Sequence, residues 1–515
     1  MNRRDMLKLS SYAIAATSAA TLADPALAQS AKGSSESIVR WDHIELNLPG
    51  PTTGNPFIDV TLTATFHFEH RAVTVHGFYD GEGSYKIRFM PDELGAWTWS
   101  STSNAPTLDG KSGSFQCIAP QHANRGPVSV RDGFHFGYAD GTPFVECGTT
   151  CYAWAFQAEE TQHQTIETLT TSPFNKLRMC LFPKWYQHNR KEPPMYPFPR
   201  NGETNDYSTF NPAYFQHLDR LILELRRIGV EADLILFHPY DKWGYQSMPS
   251  EVDERYLRYV IARFAAFRNV WWSLANEFDF MKSKTNTDWD RSIRVVAESD
   301  PFDHLRSIHY GFHQYEYGRG WCTHAGVQDS RMELAAGWRA DWQKPVVFDE
   351  CKYEGNIGSR WGNLSGDAMT RRFWNAAAQG TYCGHAETYL SPEDLLWWSH
   401  GGKLRGTSPA KIALLRKLLE ETIALGPGPI GFNNIADQPV GAARPNGSAL
   451  FYYFDEHQPA EATFTLPEGK SYTAEYIDTV TLARTPLPGE YSGKAEVKLP
   501  GTPWGSLWFR QKGIA

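Results

Sequence analysis

From about residue 140 to residue 425 the chain alternates short apolar runs with helix-length amphipathic stretches. Few folds accommodate that pattern. Eight runs read as strands: Phe144 to Thr150, Lys176 to Phe182, Ala232 to His238, Val270 to Asn276, Leu305 to Tyr310, Gly320 to His324, Val346 to Glu350 and Tyr382 to Thr388. The run Val270-Trp271-Trp272-Ser273-Leu274-Ala275 is nearly continuous in apolar residues, as expected of a strand covered on both faces of a parallel sheet. Between the strands, Pro212 to Ile228 sets Tyr214, Leu218, Leu221, Ile222 and Leu225 on one helical face. Asp253 to Phe267 has a similar period, and Pro409 to Leu425 supplies a closing helix. Eight βα units predict an α/β chain built on a (β/α)8 barrel, whose usual size is about 250 residues.

The flanks have a different texture. Residues 37–122 read as all-β: Val60-Thr61-Leu62-Thr63-Ala64-Thr65-Phe66-His67-Phe68 and Tyr85-Lys86-Ile87-Arg88-Phe89 alternate apolar and polar side chains between Gly, Pro, Asn and Asp clusters. That pattern predicts an N-terminal β-sandwich. Gly426-Pro427-Gly428-Pro429 marks the end of the barrel, which is placed at residues 123–426. Residues 427–515 return to short strands, such as Ala449 to Phe454 and Tyr472 to Ile477, and predict a second β-sandwich.

The first 28 residues read as a removable export signal of the twin-arginine type. Arg3-Arg4 is followed by a weakly apolar Ala/Ser/Thr stretch and then by Ala26-Leu27-Ala28, a small-x-small cleavage pattern. A Ser/Gly linker covers residues 29–36. The expected location is therefore periplasmic or secreted. The seven cysteines are odd in number and scattered, which is no disulfide framework. A net charge of −8 gives nucleic acid and anionic membranes no electrostatic purchase. Oligomeric state is left open.

The carboxyl ends of barrel strands are where such folds place their chemistry. The fourth strand runs out in Asn276-Glu277 and the seventh in Asp349-Glu350. Two carboxyls facing each other across a barrel mouth suit glycoside hydrolysis, which needs an acid for the leaving oxygen and a second carboxylate for the oxocarbenium-like centre. The eighteen tryptophans fit sugar binding, because indole stacks on the apolar face of a sugar ring, and fit large aromatic cores equally well. Tyr152, Trp154, Trp185, Trp243 and Trp397 are the candidate platforms. His238, His309, His324, His385 and Glu387 are candidate hydroxyl partners at other strand ends.

Specific motifs narrow the reading. Gly83-Ser84-Tyr85-Lys86-Ile87-Arg88-Phe89 and Gly95-Ala96-Trp97-Thr98-Trp99 lie in the first sandwich. Phe182-Pro183-Lys184, Trp272 to Glu277, Phe348-Asp349-Glu350, Gly384-His385-Ala386-Glu387-Thr388-Tyr389 and Leu396-Trp397-Trp398 lie in the barrel. With these the chain resembles the apiosidase-like glycoside hydrolases, retaining barrel enzymes with a β-sandwich on each side. The resemblance implies Glu277 as general acid/base, Glu350 as nucleophile and Asn276 as partner of the hydroxyl beside the anomeric carbon. It implies Arg178 as the cation that keeps the nucleophile ionised, and it places Lys184 among the substrate-binding residues. Glu277, as the acid, would need a raised pKa.

No cofactor is expected, because the nucleotide-binding glycine motifs are missing. No metal is expected either: His309-x3-His313 lacks the His-Glu-x-x-His arrangement, and no calcium-loop pattern occurs. The expectation is a hydrolase of oligosaccharides or glycosides, exo-acting because the long loops Pro183 to Asn211 and Lys352 to Asp367 can wall a pocket. The alternatives are a transglycosidase on the same barrel and an inactive carbohydrate-binding protein.

Overall fold

The computed structural model describes residues 36–121, 124–393, 396–423, 440–443 and 446–513. The export signal, nearly all of the linker and the Gly426 to Pro429 boundary lie outside the described residues.

Eight parallel strands close into a ring. They are β1 (Gly148–Thr150), β2 (Lys176–Cys180), β3 (Glu231–Phe237), β4 (Val270–Ala275), β5 (Arg306–Ser307), β6 (Ala325–Gln328), β7 (Val346–Glu350) and β8 (Tyr382–Cys383). Strands β1 to β5 form one ladder and β6 to β8 another. Parallel bridges Thr149↔His385 and His309↔Gly326 join the two. Helices α1 (Glu159–Thr171), α2 (Pro212–Arg227), α3 (Ser250–Phe264), α4 (Asn286–Ser299), α5 (Ala335–Trp342), α6 (Gly366–Ala378) and α7 (Ser408–Ile423) follow in chain order. Helix α2 starts with proline in its first turn and ends on Arg226 and Arg227, both favourable at those ends. Helix α4 opens with a capping box between Thr285 and Asp288.

The boundaries correct the sequence reading in four places. Phe144 belongs to a separate antiparallel sheet, paired with Phe136, so β1 starts later. Strand β6 begins at Ala325 and not at Gly320, since residues 318–324 form turns and bends. Strand β5 passes to β6 without a helix. Glu387 and Thr388 leave the ring and pair with Glu354 and Gly355. Each error falls on a very short strand, where a run of two to four residues carries too little periodicity to register.

The amino end of the barrel is sealed. The sheet of Val128–Arg131, His135–Tyr138 and Pro143–Phe144 covers it. Val128, Phe136 and Phe144 pack there on Trp271, Leu305, Val347 and Tyr382. Inside the ring, Lys176 Nζ lies 3.0 Å from Glu146, 3.4 Å from Asp233 and 3.5 Å from Asp349. Arg178 continues this lattice, 3.0 Å from Asp349. Buried ions at this depth persist only when matched in this way.

The N-terminal module packs a five-stranded sheet on a three-stranded one. Phe66, Phe89, Trp97 and Phe115 fill the space between, with Phe66 and Phe89 stacked at 4.0 Å. Arg88 leaves this module to bind Asp219 of α2 with two hydrogen bonds. Arg263 of α3 reaches back to Asp80 at 2.6 Å. The C-terminal module centres on the sheet containing Ala449–Tyr453, Tyr472–Asp478 and Gly505–Gln511. It rests on α6, where Trp374 stacks on Tyr453 and Arg371 pairs with Asp455. All seven cysteines are buried and unbridged. No helix among the described residues is long and apolar enough to cross a membrane.

Candidate active site

A cavity of about 1200 Å³ opens at the carboxyl ends of the strands, and Asn276, Glu277 and Glu350 lie in its wall. Glu277 ends β4 in the left-handed region, with φ 51° and ψ 54°. A non-glycine residue there is strained, and the strain persists because neighbours fix it. Its backbone N–H donates to His309 Nδ1 at 3.3 Å. That bond sets the His309 tautomer, and burial holds the imidazole neutral, well below its ordinary pKa. His309 therefore positions Glu277 from behind and does not line the cavity.

The two carboxyls are joined by a chain of hydrogen bonds. Asn276 Nδ2 donates to Glu277 Oε2 at 3.2 Å. Asn276 Oδ1 accepts from the Tyr152 hydroxyl at 3.0 Å, and that hydroxyl also lies against Glu350 Oε1. Glu277 further accepts from the Tyr240 hydroxyl, and from Gln328 Nε2 at 3.2 Å. Arg178 approaches Asn276 Oδ1 at 3.2 Å and is otherwise committed to Asp349 and Asp233. Its place corrects the sequence reading: the guanidinium orients Asn276, and the charge it neutralises is that of Asp349.

Burial pushes the Glu350 carboxyl up to about 8, with hydrogen bonding from Tyr353 opposing.

Lys184 lies in the same wall inside an aromatic box, its Nζ 3.5 Å from the ring centre of Tyr152 and 4.6 Å from that of Tyr240. Burial lowers its pKa to about 8.

Tyr152 and Lys184 are in the wall, as the sequence reading expected, but the other aromatic candidates are not. Trp154 is buried in the barrel core, its indole N–H on the Gln162 carbonyl. Trp397 is likewise buried and donates to Thr149. Trp185 and Trp243 pack edge to face beside the cavity, with Lys242 over Trp185. The rings that do reach the cavity include Tyr186, Tyr240, Phe312, Tyr353, Trp361 and Trp398. Phe312 is 81% exposed, on a loop whose backbone N–H groups at Gly311, Phe312 and His313 are held by the Asp279 carboxylate. Gln328 is the other residue missed, hidden by the misplaced sixth strand. Trp398 neighbours Trp397, and only the side chain's direction separates the two.

The remaining histidines are structural in their contacts. His238 spans the Phe182 carbonyl and the Tyr240 N–H, and burial lowers its pKa to about 3. It shapes the turn that delivers Tyr240. His324 precedes β6 and packs on Trp271 and Phe136 at the sealed end, far from the strand ends that bear the carboxyls. His385 and Glu387 are buried outside the cavity wall, where burial pushes Glu387 up to about 7.

Three comparisons bear on this geometry. Residues 131–391 match the family model described as "Apiosidase-like, catalytic domain". Residues 37–104 and 437–509 match two domains of unknown function, DUF5060 and DUF5605. A Bacteroides vulgatus protein, described with its crystal structure as a candidate glycoside hydrolase, is 36% identical, covering 92% of this chain and 100% of its own, at a TM-score of 0.87. A glycoside hydrolase family 5 structure from the same organism shares the fold at 14% identity, over 76% of this chain and 95% of its own, with a TM-score of 0.56. No curated protein matches the chain.

Proposed function

The chain belongs to the apiosidase-like glycoside hydrolases, and on that premise we propose that it cleaves O-glycosidic bonds with retention, Glu350 being the nucleophile and Glu277 the general acid/base. The observation that carries the proposal is the shared wall: both strand-end glutamates face one cavity and are linked through Asn276 and Tyr152. In the first step Glu350 forms a bond to the anomeric carbon as Glu277 gives its proton to the departing oxygen. In the second, Glu277 takes a proton from water, the hydroxide attacks the same carbon and Glu350 leaves. The double displacement needs Glu277 to carry the proton it donates and Glu350 to attack as the carboxylate. Substrate supplies the bias, because positive charge growing at the anomeric carbon stabilises the Glu350 anion. Asn276 is placed to bind the neighbouring hydroxyl.

Exo action is the reading for the mode of attack. Its support is that the loop after β2 contributes Lys184, Tyr186 and His188 to the wall, while the loop after β7 contributes Tyr353, Ser359 and Trp361. The test is a panel of aryl glycosides and oligosaccharides, apiosides included, with the first-formed anomer followed by NMR. Retention and release of terminal sugar are expected. An inverted first product would rule out Glu350 as nucleophile, and internal cleavage of a polymer would rule out exo action.

A further inference from the structure

Behind the cavity wall a second cluster stands apart from the two catalytic glutamates. Glu354, His385 and Glu387 each present one donor atom, all within 4.8 Å of one another. All three side chains are buried, at 1% exposure or less. None lines the cavity. Glu354 and Glu387 are direct partners in a short parallel pair, where like charges oppose each other. Backbone N–H groups answer part of that repulsion: Thr407 and Ser408 donate to Glu354, Arg405 and Gly406 to Glu387. None of these donors carries a full charge, and the Arg405 guanidinium turns outward to Glu393.

Two further observations point to a ligand. His385 Nε2 is buried without a hydrogen-bond partner and lies 3.7 Å from Glu387 Oε1. Its Nδ1 sits 3.0 Å from the Thr149 hydroxyl, which can accept the Nδ1 proton and so leave the Nε2 lone pair facing the carboxylates. The second is Gly406. A Cβ there would meet an oxygen of each carboxylate at 2.5 Å, so both oxygens converge on a spot that only glycine leaves open.

We propose that Glu354, His385 and Glu387 bind one divalent transition cation. A doubly positive ion neutralises the two carboxylates, and mixed imidazole and carboxylate donors favour Zn²⁺ or Mn²⁺ over Ca²⁺ or Mg²⁺. Bonds of ~2.0–2.2 Å set donors up to about 4 Å apart, so the site contracts by less than about 1 Å on filling. The ion's role is to fasten the loop after β7 to the segment after β8. Tyr353, which contacts Glu350, sits on that loop one residue before Glu354.

The test is elemental analysis and thermal melting of the full chain. Protein purified without added metal and then equilibrated with Zn²⁺ or Mn²⁺ should retain about one equivalent after gel filtration. Dipicolinate should remove it and lower Tm, and re-addition should restore Tm. Glu387→Gln should weaken binding by about tenfold or more, whereas Glu277→Gln should keep its equivalent. Less than about a tenth of an equivalent retained, with Tm indifferent to chelator and to added metal, overturns the proposal and assigns the carboxyl pair a shared proton. Equal retention by Glu387→Gln overturns it too. Should that variant fail to fold, chelation and re-addition on the unaltered chain decide alone.

Discussion

The two ends of the barrel treat charge in opposite ways. At the sealed amino end, Lys176 is ringed by Glu146, Asp233 and Asp349 under an aromatic lid. At the open end, Glu277, Glu350 and Lys184 face hydroxyls, amides and ring faces instead of counter-ions. The same strands supply both. What differs is whether each charge is matched. Matched charges hold the ring together; unmatched ones keep proton affinities that can shift when substrate arrives.

Substitutions at each end should separate these roles. Glu350→Gln and Glu277→Gln should each lower kcat by about 10³-fold or more in steady-state assays, with the fold intact by circular dichroism. Added azide rescuing neither variant on an activated substrate would count against the assignment of roles. Lys176→Met strips the lattice of a cation and should cost about 3–5 kcal/mol in denaturant unfolding, since Glu146 loses its ion-pair partner and Asp233 and Asp349 are left to Arg178 alone. A stability loss under ~1 kcal/mol there would erase the contrast between the ends.

A smaller effect concerns pH. The folded pKa of Glu350 is raised to about 8 from an ordinary 4.5, so its contribution to stability is full below about 4.5 and is lost as pH rises through 8. Glu350→Gln should therefore gain on the unaltered chain between pH 5 and pH 8, by on the order of 3 kcal/mol, in melts taken across that range. A constant difference would mean that Glu350 is already ionised at pH 5. Smallest is the rim: Trp398→Ala should raise KM about tenfold, near 1.4 kcal/mol, with little change in kcat. Trp397→Ala should act on Tm instead, because that indole packs inward on Thr149.

Those two neighbouring tryptophans mark the limit of what the sequence carries. Strands of five to seven residues such as β3, β4 and β7 are legible, because a continuous apolar run has no other use in a parallel sheet. Their terminal glutamates follow directly. Strands β5 and β8, of two residues each, are held by the closed ring itself, and no local pattern announces them. The misplacement of β6 sent His324 to the wrong end and hid Gln328. Side-chain direction in loops is set by packing between distant segments, so Trp361, Trp398 and Phe312 could not be told from core rings. Arg178 came from the family resemblance, but its partner Asp349 is chosen by the ring.

The Arg88, Asp219, Arg263 and Asp80 quartet has a consequence for modularity. The family match for the barrel starts at residue 131, which invites excision there. A barrel cut at that point would keep Asp219 and Arg263 and lose both Arg88 and Asp80. It would also bare the helix faces on which Phe78 and Tyr79 rest. Transplanting this barrel onto a different leading module is thus a matter of rebuilding a salt-linked seam, and swapping the connecting peptide alone leaves that seam open.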